Sequence, residues 1–77
     1  MVLKKEIIRM ISASHSNDGR ATLNIDTDTH KRIELRCRDI ASALTYMDAL
    51  QDALSDKPDG YIRINYTSTE ILSIEEI

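Results

Sequence analysis

The chain has 77 residues, a 42% apolar and 30% charged composition, and a formal net charge of −3. That length carries one small domain. The single cysteine, Cys37, excludes an internal disulfide and fits a reducing compartment. The first residues, MVLKKEIIRMISASHS, contain no apolar run of signal-peptide length, and nothing reaches the length of a membrane span. A cytoplasmic protein without a membrane partner is expected. Charge is unevenly distributed. Residues 1–40 hold eight basic and six acidic side chains, and residues 41–77 hold two and seven.

The first expected element runs from about Leu3 to Ser14. Its apolar residues Leu3, Ile7, Met10 and Ile11 also match helical spacing, so strand and helix both stand, with the strand preferred. The preference comes from the turn signal SNDGR and the alternating segment RATLNIDTD that follows it. A three-residue loop, Asn17-Asp18-Gly19, sets Ala13 opposite Leu23 and Ile11 opposite Ile25, which gathers apolar groups on one face. It also gives Gly19 the left-handed position such loops need. Ala21, Leu23, Ile25 and Thr27 then face one way, and Thr22, Asn24, Asp26 and Asp28 the other.

RIELRCR, residues 32–38, predicts a third strand with Ile33, Leu35 and Cys37 inward and Arg32, Glu34, Arg36 and Arg38 outward. Asp39 has the character of a helix N-cap. From Ile40 the period becomes helical, with Ile40, Ala43, Leu44, Met47, Leu50 and Leu54 in one stripe. Lys57-Pro58-Asp59-Gly60 stops that helix. YIRINYT, residues 61–67, predicts a strand with Ile62, Ile64 and Tyr66 inward. In the tail, Leu72 and Ile74 fit a further strand, while Thr67-Ser68-Thr69-Glu70 also fits a capping box opening a short helix; the strand is preferred. The order β-β-β-α-β-β predicts the α+β class: one domain over residues 1–77, with an antiparallel sheet and one helix packed across one face.

Two surfaces follow from this arrangement. Asp48, Asp52 and Asp56 stand four residues apart on the helix side opposite the apolar stripe, with Ala41, Ser42, Thr45, Ala49 and Ala53 around them. Like charges at this spacing each cost about 0.2–0.5 kcal/mol, and aspartate is a weaker helix former than alanine. Asp56 also sits at the unfavourable end of the helix dipole. The plain reading is a solvated face that supplies solubility. The functional reading is a smooth negative face for a basic partner protein, built from Asp48, Asp52, Asp56, Thr45 and Ala49. Short side chains there lose little freedom on docking.

The second surface is the outer sheet face bearing Arg32, Arg36, Arg38, Arg63 and Tyr61. Arginines beside an aromatic on an open sheet suit single-stranded nucleic acid. Cross-strand pairing with Asp26, Asp28 and Glu34 is the plainer explanation.

No catalytic kit is legible. His15 and His30 lie near turns without metal-ligand spacing, so no metal or cofactor is expected. Inward-facing Cys37 reads as a small buried hydrophobe. Ser14 and His15 point to opposite sides of a strand and cannot cooperate. Gly19 and Gly60 are explained by turns, which leaves no phosphate-cradling loop. The expectation is therefore a non-enzymatic protein-binding module, an inhibitor or adaptor of the size and charge that phages direct against host defences. Nucleic-acid binding through the arginine face is the first alternative. Self-assembly is the second, with a positive sheet face meeting a negative helix face in a homodimer or an exposed edge strand pairing.

Overall fold

A computed structural model describes residues 1–29, 31–68 and 70–77. His30 and Thr69, both named above, lie outside the described residues. The chain runs β1 (Val2–Lys4), a 3-10 turn (Lys5–Ile7), β2 (Ile8–His15), β3 (Ala21–Thr27), β4 (Arg32–Cys37), α1 (Ile40–Asp56), β5 (Tyr61–Tyr66) and β6 (Ile71–Glu76). The α+β class, the antiparallel pairing and the helix packed on the strands are all as the pattern implies. The strands divide into two sheets of three rather than forming one, in the orders β1-β5-β6 and β2-β3-β4.

The division originates in the first segment, which is extended rather than helical. Its apolar positions share no single parity because the chain changes phase twice. The 3-10 turn at Lys5–Ile7 is the first change, and a bulge between Ile8 and Met10 is the second. Leu3 can thus face the core on β1, Ile8 at the start of β2, and Ile11 beyond the bulge. β1 pairs with β5, with Val2 opposite Arg63, while β2 pairs with β3. One stretch of chain thereby serves both sheets.

The first hairpin has the expected register, with Ile11 opposite Ile25 and Ala13 opposite Leu23. Ser16 N–H donates to the Arg20 carbonyl at 3.0 Å and closes the Asn17-Asp18-Gly19 loop. Gly19 has φ +83°, where a side chain would be strained. Asp18 Oδ1 accepts from the Ser16 hydroxyl at 2.6 Å and from Arg20 N–H at 3.1 Å. The Ser16 hydrogen bond is the main reason the Asp18 carboxyl lies below its ordinary range.

Leu23, Ile25, Leu50, Ile62 and Ile64 are fully buried at the centre of the core. α1 packs against β2 and β3, and also against β4 and β6. The face it buries is rotated by roughly 40° from the expected stripe, given 100° per residue. Leu50 and Ala43 point straight inward and Ala53 is buried, whereas Leu44 is 43% exposed. The small side chains of Ala43 and Ala53 let the helix approach the strands closely. Half-buried Tyr46 lies on the same flank and donates its hydroxyl to the Leu72 carbonyl of β6 at 3.1 Å.

The second hairpin also departs from the expected pattern. A register shift between Asn65 and Tyr66 turns Tyr66 outward to 51% exposure. Across from it, Ile71 rather than Leu72 enters the core. Thr67 and Glu70 do form reciprocal bonds, with Thr67 N–H donating to the Glu70 carbonyl (2.8 Å) and Glu70 N–H to Thr67 Oγ1 (3.1 Å). They close the turn between β5 and β6 instead of capping a helix.

Candidate interaction surfaces

The acidic face is built from the helix outward. Asp39, in extended backbone, accepts the Ser42 N–H at 2.8 Å and starts α1. Hydrogen bonding from Ser42 lowers the Asp39 carboxyl below its ordinary range. Seventeen residues of helix follow. At 100° per residue Asp48 and Asp52 lie about 20° either side of the point opposite Leu50, and Asp56 lies about 60° to one side of it. All three are exposed, and so are Thr45 and Ala49. Thr45 turns its hydroxyl back to the Ala41 carbonyl at 3.0 Å. Ser42 is half-buried and Ala53 buried, so those two leave the exposed face, while Leu44 joins it beside Asp48.

The charges of this face stand apart from the pairing elsewhere. Ion pairs among the described residues join Lys5–Glu76, Arg9–Asp28, Arg32–Asp26, Arg38–Asp39 and Arg63–Glu75. None of them involves Asp48, Asp52 or Asp56. The last turn of α1 has no basic residue of its own. Its negative end is met from the other end of the chain by Lys5, whose side chain is only 1% exposed. Lys5 Nζ donates to the Ala53 carbonyl at 2.9 Å and to Glu76 Oε1 at 2.6 Å. Its backbone N–H reaches the Gly60 carbonyl at 2.9 Å. One lysine thus ties the helix end, the following loop and β6 together. Sequence reasoning missed it, because a buried lysine beside an exposed one in Lys4-Lys5 leaves no composition signal.

The arginine surface is dispersed. Arg32 and Arg36 are on β4, and Arg63 and Tyr61 on β5, in different sheets. Arg38 lies past the end of β4, in the bend before α1, and contacts Asp39 at 3.7 Å. Arg32 Nε donates to Asp26 Oδ1 at 2.9 Å, and Arg63 lies 3.6 Å from Glu75. Of the expected acidic partners Asp26, Asp28 and Glu34, Asp26 does hold Arg32, whereas Asp28 is bound by Arg9 at 3.1 Å. Arg36 alone of the four named arginines makes no ion pair among the described residues.

The concave sites lined by described residues are open to solvent. A groove of about 190 Å³ lies between the start of α1 and β6, lined by Arg38, Ser42, Tyr46, Glu70, Ile71 and Leu72. Cys37 is buried, and burial pushes its thiol up, which disfavours the reactive thiolate. His15 is exposed at the end of β2. Among the described residues, no three of His, Cys, Asp and Glu converge as a metal would need. Among the described residues, no helix is long and apolar enough to cross a membrane. No family model, curated protein or solved structure matches this chain.

Proposed function

We propose that the protein is a non-enzymatic binding module of the cytoplasm, an inhibitor or adaptor that docks the exposed face of α1 on a basic surface of another protein. One observation carries this reading. The carboxylates of Asp48, Asp52 and Asp56 are solvent-exposed and outside every described ion pair, while most arginines of the chain are held by neighbouring acids. A column of unpaired like charges raises the energy of the free helix and is relieved when cations approach. Clustered charge also speeds encounter with an oppositely charged partner. Thr45 and Ala49 keep the rim low, and exposed Leu44 offers an apolar contact at its edge. The arginine surface supports nucleic-acid binding less well, because its cations are split between two sheets and three of the four are engaged.

The test is capture of a partner from lysate of the native host by the wild-type protein and by the Asp48→Lys, Asp52→Lys double variant. Capture should be lost in the variant, with its circular dichroism unchanged, and should weaken as salt rises. Undiminished capture by a folded variant would remove the helix face from consideration. A parallel mobility-shift titration with labelled single strands at low salt addresses the alternative, and a salt-sensitive shift there would favour the arginine surface.

A further inference from the structure

β2 is an edge strand, with β3 as its partner on one side and, among the described residues, no strand on the other. The Ser16–Arg20 hydrogen bond fixes which backbone groups point where. Hydrogen-bonded pairs alternate along an antiparallel ladder, and the register is unbroken from His15 back to Met10. Met10, Ser12 and Ser14 therefore spend their N–H and C=O groups on β3. Those of Ile11, Ala13 and His15 face the open side.

Other open edges are guarded against self-pairing. β4 alternates Arg32, Glu34 and Arg36, so an antiparallel copy would set Glu34 against Glu34 and Arg32 against Arg36. β6 ends in Glu75 and Glu76, and its Leu72 carbonyl is already taken by the Tyr46 hydroxyl. β1 has only three residues, one of them Lys4. By contrast, Met10-Ile11-Ser12-Ala13-Ser14 carries no charge, no proline and no bulge after Met10. Its inward side chains are also incompletely covered. Ile11 and Ala13 are half-buried, although Ile25 and Leu23 directly opposite them are fully buried. Met10, on the outer face, is 60% exposed.

We propose that β2 is a self-association edge, and that its occupant is β2 of a second copy of this chain, antiparallel about a twofold axis at Ala13. Ala13 faces its own copy and Ile11 faces His15, so each of the three open-edge residues both donates and accepts across the axis. No like charges oppose one another within residues 10–14. The two three-stranded sheets become one continuous six-stranded sheet. The twofold keeps both helices on the same side of it, so two acidic faces point in one direction. The inference does not rest on the docking role of those faces.

Light scattering after size exclusion, over a concentration series, tests it. Mass should rise from 8.8 kDa toward twice that value. Ala13→Pro removes an N–H that the monomer's ladder does not use, so the fold should persist while the dimer is lost. Should that variant unfold, Ser12→Lys and Ser12→Glu decide the matter. Position 12 faces position 14 of the other copy and lies diagonal to its own counterpart. Each variant alone should therefore dimerise more weakly than the wild type, and their equimolar mixture more strongly than either alone. A mixture no stronger than the single variants counts against the pairing. Amide exchange gives a direct reading in the wild type, where Ile11, Ala13 and His15 should become protected with concentration while the β4 edge does not. A wild-type protein that stays monomeric up to about 1 mM, where even a millimolar dimer is substantially formed, overturns the proposal. So does a dimer that survives in folded Ala13→Pro, or one abolished by Asp48→Lys with Asp52→Lys.

Discussion

Replacing Asp52 with lysine should make the protein more stable while impairing the docking role proposed for its helix. Asp52 is exposed, lies four residues from both Asp48 and Asp56, and has no ion-pair partner among the described residues. The substitution converts two repulsive pairs into two attractive ones. Each sign change amounts to about 0.4–1 kcal/mol, since attraction and repulsion at this spacing are each about 0.2–0.5 kcal/mol. Lysine adds a few tenths of a kcal/mol in helix propensity. The expected gain is about 1–2 kcal/mol, a large share of the roughly 4–12 kcal/mol available to a domain of this size. In a chain this short, about 1 kcal/mol moves the melting temperature by roughly 4–8 °C. Urea titrations of wild type, Asp52→Lys and Asp52→Ala, at low salt and at about 1 M salt, separate the terms because screening shortens to about 3 Å at the higher strength. Lysine should exceed alanine at low salt, and the gap should close at high salt. If Asp52→Lys is neutral or destabilising at low salt, the acidic column is not frustrated in the free protein. Relief of like-charge repulsion would then give the helix no drive toward a basic partner.

Three further outcomes follow from the geometry. Lys5→Met keeps most of the buried stem and loses the two Nζ bonds, so it should cost about 1.5–3 kcal/mol, the range for hydrogen bonds to charged groups. Lys5→Ala adds a cavity and should cost about 1–2 kcal/mol more; equal losses in urea unfolding would show that the stem contributes nothing. Because the Asp39 carboxyl lies below its ordinary 3.8, its contribution is present above that value and lost as pH falls through the lower folded value. Asp39→Asn keeps the cap, so its stability should fall less than the wild type's between pH 5 and acid, and parallel curves would refute the assignment. Gly19→Ala meets no neighbouring atom but sits at φ +83°, so it should cost about 1–2 kcal/mol through backbone strain alone, and Gly19→Asn less; no difference between them by thermal melting would contradict that reading.

The elements with a single clean period were legible in the sequence. RATLNIDTD and RIELRC alternate without interruption, and Asn17-Asp18-Gly19 fixes the loop, so the register from Ile11–Ile25 to Ala13–Leu23 could be derived from burial alone. Where the phase changes, the pattern loses its meaning. The 3-10 turn and bulge scatter Leu3, Ile8 and Ile11 over both parities, and the shift at Tyr66 exchanges Leu72 for Ile71. The helix was found with its cap, but its roll was not, because Ala53 and Tyr46 carry weak burial signals compared with Leu44. Packing of α1 against β2, β3 and β6 sets that roll, with Tyr46 bonded to Leu72 of β6. The acidic face survived the rotation because Asp48 and Asp52 lie near its centre. The arginine surface did not survive as one surface, since its coherence depended on a single sheet.

The shared first strand also sets an order of assembly. Hairpins β2-β3 and β3-β4 close short loops, and α1 follows at once. Val2 must wait for Arg63 before it can pair, and closing so long a loop delays the contacts that reward it. A chain emerging from the ribosome can therefore finish its three-stranded sheet and helix while β1 is still unpaired. Lys5 gains its last partner only when residue 76 arrives. Closure of this fold therefore waits on β1 meeting β5 and Lys5 meeting Glu76, so weakening either contact should act mainly on how fast the finished molecule comes apart.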